Sequence, residues 1–225
     1  MSLFLSAELP CPSCATPVNF DLVHSVNADR RPDLRVAILD RSFQQQPCPS
    51  CGYAFRVEPE LNFIDVRRGQ WIAVWPSSKR EQWDSLEQVS KRAFDAAFGA
   101  QAPAAARELG AGMTASVVFG WPALAEKLIA KDAGIDDLTL EIAKAALLRN
   151  ADEIPVGDGG EWRLLGVDGD ELVFGRIRAA NEELLEVMRG PKALIAELEA
   201  DAASWGQLRG DLSKGPYRDL GRLLN

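Results

Sequence analysis

Histidine is almost absent from this chain of 225 residues, in which His24 is the only one. A serine or cysteine nucleophile that relies on an imidazole base would therefore have to use His24, and no Gly-x-Ser-x-Gly segment is present to hold such a serine. The sequence also lacks a phosphate-binding P-loop and the His-Glu-x-x-His helix of zinc proteases. The sequence therefore indicates no particular reaction.

Long apolar runs and an excess of basic charge are missing as well. No run approaches the roughly 20 apolar residues needed to span a bilayer, and the first residues lack the basic side chains of an export signal. The chain has 25 basic and 33 acidic side chains, a net charge of −8. Such a chain is poorly suited to bind duplex DNA or an anionic membrane through charge alone. We therefore expect a cytoplasmic protein that binds neither membranes nor duplex DNA.

The apolar content is that of an ordinary globular protein, at 47% hydrophobic and 26% charged residues. A chain of this length forms one large domain or two small ones. Residues 1–78 carry seven basic and eight acidic side chains, whereas residues 79–225 carry 18 and 25. We therefore expect a nearly neutral first part over 1–78 and an acidic second part over 79–225, which can pack together as one unit.

All four cysteines lie in two Cys-Pro-Ser-Cys segments within the first quarter of the chain. The first segment holds Cys11 and Cys14, and the second holds Cys48 and Cys51 after a gap of 33 residues. Two residues between cysteines allow one tight turn to present both sulfurs to the same ion, and two such turns supply the four ligands of a closed tetrahedral site. The spacing predicts one structural Zn²⁺ per chain, held by these four cysteines.

Other uses of paired cysteines fit this pattern less well. A thioredoxin-like redox site needs one reactive pair beside a β-α-β segment, a disulfide framework suits an exported protein, and iron–sulfur clusters usually have other spacings. A four-cysteine site leaves no position for His24, which we interpret as a polar residue on a strand or loop. Gly52 can adopt the left-handed backbone that follows such a turn, whereas Ala15 at the equivalent position predicts a different or strained turn.

The first part reads as short strands around the two cysteine pairs, which is typical of a zinc ribbon. Strands are predicted over 3–9, 16–20 and 53–57, a helix over 33–40, and a hairpin over 61–66 and 70–75. In the last of these strands both faces are apolar, so we expect it to be buried on both sides.

This first part also resembles a known family. The shared features are the two Cys-Pro-Ser-Cys segments, Ser25-Val26-Asn27 followed by Pro32-Asp33-Leu34, Asp65, the strand that ends at Pro76 and, more loosely, Val118-Phe119-Gly120, Gly134-Ile135-Asp136-Asp137 and the closing Arg222-Leu223-Leu224. Together they are similar to the CpXC domain family. The resemblance implies a zinc-ribbon-like architecture, a cysteine metal site and a bacterial or archaeal origin, and it implies no activity.

The second part is predicted to be mainly helical with one β-hairpin, so that the whole chain belongs to the α+β class. Helices are expected over about 79–98, 104–109, 122–133, 136–149, 181–190 and from 191 onward, with a short one after 216. Strands are expected over 162–167 and 171–177, with a type I′ turn at Asp168-Gly169-Asp170, and a loop over 154–160.

Two features of this part suggest binding but have simpler interpretations. The helices over 122–133 and 136–149 could form a helix-turn-helix, yet the second helix has only Lys144 and Arg149 as cations against three acidic residues. The acidic residues Asp132, Asp136, Asp137 and Glu141 could bind a cation, but helix capping and a solvated surface explain them better.

We therefore expect a zinc-binding protein that acts as a non-enzymatic interaction or scaffolding module with a protein partner. Two alternatives stay open, namely an enzyme with carboxylates at the interface of the two parts and a weak nucleic-acid-binding ribbon. A polar cleft containing carboxylates of raised pKa would favour the enzyme. An exposed apolar patch without such a cleft would favour the module. The sequence specifies neither the biological process nor the oligomeric state.

Overall fold

A computed structural model describes residues 3–149 and 159–223, and it has the α+β class expected from the sequence. The chain divides into a first unit, Met1–Arg80 with Val89–Val118, and a second unit, Glu81–Gln88 with Phe119–Asn225. The predicted loop over 154–160 lies outside the described residues except for Gly159 and Gly160.

The first unit is built mainly from strands. Its elements, in chain order, are β1 (Leu3–Pro10), β2 (Pro17–Asn27), α1 (Pro32–Leu39), β3 (Gln45–Pro47), β4 (Ala54–Arg56), β5 (Leu61–Asp65), β6 (Gln70–Trp75), α2 (Trp83–Phe98, which begins in the second unit), α3 (Ala104–Ala111) and β7 (Thr114–Phe119, which ends in it). Five strands form one sheet in the order β1-β2-β5-β6-β7, and β3 pairs with β4 in a separate hairpin. β2 and β5 are parallel, whereas β1–β2 and β5–β6 are antiparallel.

The inner strands carry the core of this sheet. Residues Trp71 to Val74 of β6 are all buried, which confirms the expectation from their continuous apolar run. The Trp71 ring packs edge-on against Phe94 of α2 with ring centroids 5.4 Å apart. Gly69 in the β5–β6 turn has φ +64°, and a Cβ there would lie 2.5 Å from the Gly112 carbonyl oxygen. The turn therefore requires glycine for both its backbone conformation and its space.

The second unit combines helices with a three-stranded antiparallel sheet. Its elements are α4 (Gly120–Asp132), α5 (Asp137–Arg149), β8 (Gly160–Asp168), β9 (Glu171–Arg178), β10 (Glu183–Pro191), α6 (Ala193–Ala200) and α7 (Gly206–Leu212), with a 3-10 turn at Leu220–Leu223. Another 3-10 turn, Ser77–Gln82, begins in the first unit and ends in the second. The sheet has the order β10-β9-β8. Leu140 and Ile142 of α5 pack with Leu164, Leu172 and Phe174 of the sheet in one apolar cluster.

The helix predicted over 181–190 is wrong, because these residues form most of β10. Glu, Leu, Met and Arg favour helices, but pairing with β9 supplies hydrogen bonds that this local preference cannot outweigh. Asn181 accepts a hydrogen bond from the Glu183 backbone N–H at 3.2 Å and so shapes the β9–β10 turn instead of capping a helix. The type I′ turn before β9 is also wrong, since positive φ occurs at Gly169 (+59°) and not at Asp170.

Other elements differ from the expectation in their limits. The predicted helix from residue 79 starts as a 3-10 turn and becomes α-helical at Trp83, and α4 begins at Gly120, two residues before Pro122. The strand β7 was not expected, because the alanine- and glycine-rich segment before it hides its short apolar run. None of the helices within the described ranges combines the length and the apolar character needed to cross a membrane.

Candidate metal centre

Each cysteine pair lies in the turn of a β-hairpin. The first turn joins β1 to β2, and the Pro10–Pro17 pair is the last strand pair before it. The second turn joins β3 to β4, and the Pro47–Ala54 pair is the last strand pair before it. The two turns have the same backbone hydrogen bonds. The first cysteine of each turn donates to the carbonyl five residues later, at 2.9 Å in both turns, and accepts from the N–H four residues later, at 2.8 Å in the first and 2.9 Å in the second. The sequence repeat Cys-Pro-Ser-Cys is thus also a structural repeat.

The two turns bring all four sulfurs together. The Sγ atoms of Cys11, Cys14, Cys48 and Cys51 lie within 4.8 Å of one another. The Cys11–Cys51 and Cys14–Cys48 Sγ separations are both 3.7 Å. A tetrahedral ion with about 2.3 Å metal–sulfur bonds would separate its ligands by about 3.8 Å, whereas a disulfide needs about 2.05 Å. All four cysteines are free, so the donor set fits a metal ion.

The thiols also influence one another's ionisation. Hydrogen bonds from the Thr16 side chain and backbone lower the pKa of Cys14 to about 6. For Cys51, the Tyr53 backbone stabilises the thiolate, but the neighbouring Cys14 sulfur and burial outweigh it and raise the pKa to about 11. Adjacent thiolates repel, so the fully ionised set needs a cation at its centre. When bound, such an ion supplies the positive charge that holds all four sulfurs as thiolates.

The residue after each pair has the left-handed backbone conformation. Gly52 has φ +73° and Ala15 has φ +59°. Ala15 therefore adopts the same turn as Gly52 and carries the strain that its Cβ imposes there. This outcome agrees with the expectation of a strained first turn.

A small apolar cluster supports the two turns. Cys11 and Cys48 are buried with Val18 and Phe20 of β2. The Phe20 ring packs edge-on against Phe55 of β4 at 5.1 Å between centroids. Because this cluster is small and separate from the main core of the sheet, we expect the fold around the turns to depend on the metal.

The single histidine takes no part in the sulfur cluster. His24 lies on the exposed surface of β2, as the interpretation of a polar strand residue requires. It lines a cavity of about 280 Å³ with Glu60, Trp75 and Ser90 among other residues. The Trp75 indole N–H donates to Ser90 Oγ at 3.0 Å.

Comparison with known families agrees with this centre. A family model described as CpXC protein matches residues 9–144, which include all four cysteines and more than half of the chain. The chain belongs to the CpXC family. The resemblance drawn from the sequence is thereby confirmed. Searches of curated proteins and of solved structures found no match.

The second unit of this CpXC protein contains a buried charged cluster that the sequence did not reveal. Lys144 Nζ lies 3.2 Å from Glu126 and 2.7 Å from Glu141, and both carboxylates are fully buried. Arg163 lies 3.1 Å from Glu126 and 2.5 Å from Asp219. Burial raises the pKa of Glu141 to about 7. In the sequence, this cluster is indicated only by the position of Glu126, Glu141 and Lys144 within otherwise apolar helix segments.

The carboxylates of this cluster have structural partners. Glu126 accepts the Leu164 backbone N–H at 2.7 Å, and Glu141 accepts that of Leu220 at 2.8 Å. Among the neighbouring acidic residues, Asp136 caps α5 by accepting the Leu138 and Thr139 backbone N–H groups. Within the described parts of the chain, the four cysteines form the one group of three or more side chains placed to hold a metal. The cluster therefore joins α4, α5, β8 and the residues near 220.

Proposed function

We propose that this CpXC protein holds one Zn²⁺ at Cys11, Cys14, Cys48 and Cys51, and that the ion stabilises a protein-interaction module in the cytoplasm. The observation that carries the proposal is the cluster of four free thiols with 3.7 Å separations between opposite turns. Free thiols suit a reducing compartment. Four thiolates complete the coordination of a tetrahedral ion, so the site has no open position for a catalytic water or substrate.

A structural role follows from the surroundings of the site. The apolar cluster beneath the turns is small, and the two cysteine pairs that meet there are separated by 33 residues of the chain. Binding of the ion closes this long loop and provides folding free energy that such a cluster cannot supply. Loss of the metal should therefore loosen the cysteine hairpins first.

The role of a protein-interaction module is supported by an exposed apolar patch on the same unit. Leu3, Phe4 and Leu5 of β1 are 59%, 42% and 58% exposed. Such a patch on a soluble surface is typical of a site that another protein covers. Duplex DNA is a less suitable partner, because Lys144 of the second candidate DNA-binding helix is buried against carboxylates and Arg149 stacks on the Trp205 ring.

Metal analysis and selective replacement of one ligand test the proposal. Protein purified without added zinc should contain about one zinc per chain. Cys48→Ser should lose the ion, and limited proteolysis should then cut the region around the two turns. Ser50→Ala is the matched control, because Ser50 uses its backbone N–H to contact Cys48 Sγ at 3.4 Å and should keep the metal.

Four outcomes would contradict the proposal. Stoichiometric iron with visible absorption would show that the bound metal is iron and not zinc. Two disulfides without metal would show that the four cysteines form no metal site. If chelation left the protease resistance intact while abolishing an activity, the metal would be catalytic. Micromolar binding to a labelled duplex that weakens steeply with salt would replace the protein partner with DNA.

A further inference from the structure

The strand β1 forms one edge of the five-stranded sheet in the first unit. It pairs with β2 along its whole length, from Leu3 to Pro10. Among the described residues, no strand pairs with its other side. In an antiparallel pair, alternate residues of an edge strand direct their backbone N–H and C=O groups away from the sheet. This row of groups is shaped to accept another strand.

The edge has few of the features that normally prevent such pairing. Natural edge strands are usually short, twisted away by bulges, or carry lysine, proline or inward charges. β1 has eight residues, carries no charge before Glu8 and has its proline only at the last position, Pro10. Its one register shift lies at the Leu3–Phe4 end. The three large apolar side chains at that end are exposed, although the Arg31 guanidinium lies 5.8 Å from the Phe4 ring centroid and covers part of it.

We propose that β1 pairs antiparallel with β1 of a second copy of this chain about a two-fold axis, which joins the two sheets edge to edge. This inference rests on the proposed function, because it names the partner of the interaction module. Pairing satisfies the free backbone groups of the residues that face one another in both edges at once, and the same surface serves both copies. The expected assembly is a homodimer with a continuous sheet of ten strands.

The sequence of β1 is compatible with its own antiparallel copy. With the axis at Leu5, Leu3 lies opposite Ala7, and Phe4 lies opposite Ser6, so no charged side chains face each other. The two Glu8 residues are then six positions apart along the strand direction, or about 20 Å. This distance exceeds the screening length of about 8 Å at physiological ionic strength. Repulsion between the two carboxylates is therefore small.

The net charge of the chain does not oppose this contact locally. The first unit has twelve basic and ten acidic side chains, whereas the second has 13 and 23. The first unit therefore has a net charge of +2 and the second a net charge of −10, so the negative excess belongs to the unit that does not carry β1. The unit that carries the edge strand is close to neutral, so its net charge opposes association of identical copies little.

The exposed area sets the expected strength of the dimer. The exposed fractions of Leu3, Phe4 and Leu5 amount to on the order of 300 Å² of mainly apolar surface per copy, or about 600 Å² for the pair. Stable interfaces bury about 1,200 Å² or more in total. Backbone pairing adds to the apolar contact, but the total remains near the weak end of this scale. We therefore expect a weak, reversible dimer that forms only at high protein concentration.

Light scattering coupled to size exclusion tests the dimer with the full zinc-loaded chain. At about 100 μM the average mass should approach twice the monomer mass of 24.6 kDa, and it should fall on dilution. Leu5→Lys should weaken the dimer at least about tenfold. Leu5→Ile should keep it, because the side chain stays apolar and branched residues favour strands.

Val36→Lys provides the matched control. Val36 lies on α1 of the same unit and is 59% exposed, so the change removes a similar apolar surface away from the edge strand. Circular dichroism and zinc content of each variant separate loss of fold from loss of association. A monomer at every concentration up to about 500 μM, with zinc bound, would overturn the dimer but leave the zinc module intact. The proposed pairing of β1 would also be overturned if Leu5→Lys and Val36→Lys weakened the dimer equally, or if neither weakened it. A protein without zinc would instead refute the proposed function.

Discussion

Exchanging the residues after the two cysteine pairs should change the stability of the metal centre in opposite directions. Ala15 and Gly52 occupy equivalent positions, with φ +59° and +73°. A Cβ built on Gly52 meets no heavy atom within 4 Å, and the side chain of Ala15 is exposed. Neither Gly52→Ala nor Ala15→Gly therefore changes packing. Each substitution isolates the cost of a left-handed backbone at a residue with a Cβ.

The magnitude follows from two opposing contributions. A left-handed conformation costs a non-glycine residue about 1–2 kcal/mol. Alanine restricts the unfolded chain more than glycine does, and this effect stabilises an alanine variant by about 0.4–1 kcal/mol. Gly52→Ala should therefore destabilise the metal-bound ribbon by about 1 kcal/mol, and Ala15→Gly should stabilise it by a similar amount. The double exchange should lie close to the wild type.

Competition against a chromophoric zinc chelator measures this difference, because metal binding and folding of the hairpins are coupled. A change of about 1 kcal/mol corresponds to about a fivefold change in apparent zinc affinity. Ala15→Gly should bind zinc more tightly and Gly52→Ala more weakly. If both single variants weakened binding, or if Gly52→Ala had no effect, the equivalence of the two turns would be refuted.

Three further substitutions test the packing around the sheet and the buried charges. Gly69→Ala should cost at least about 2 kcal/mol, more than Gly52→Ala, because it adds a contact with the Gly112 carbonyl to the same backbone strain; equal midpoints in urea would contradict this. Lys144→Met should cost about 3–5 kcal/mol by removing the cation that contacts buried Glu141 and leaving Glu126 paired with Arg163 alone, and addition of Glu141→Gln should recover part of the loss. Because the folded-state pKa of Glu141 is raised from 4.5 to about 7, its stabilising contribution is complete below pH 4.5 and is lost as the pH rises through 7. The stability of Glu141→Gln relative to the wild type should therefore increase from pH 4.5 to about 7 and level off above it, and a constant difference across urea titrations would refute the assignment.

The sequence by itself determined the features that depend on neighbouring residues. Two residues between cysteines define each metal-binding turn, and Arg67-Arg68-Gly69 and Asp168-Gly169-Asp170 mark hairpins that the structure contains. Capping of α5 by Asp136 follows the same rule, since its carboxylate contacts backbone groups two and three residues later. Family membership was also evident from short motifs with fixed spacing.

Only the tertiary structure decided the features that depend on residues far apart in the chain. The residues of β10 favour a helix locally and form a strand because β9 offers a pairing edge. Lys144 and Glu126 lie on different helices, and their contact with Arg163 on β8 arises from packing that no local pattern encodes. The free edge of β1 likewise follows from the strand order of the sheet, which local propensity leaves open. Backbone turns are specified over a few residues, whereas strand pairing and buried ion pairs gain their free energy from contacts that form only when the whole unit folds.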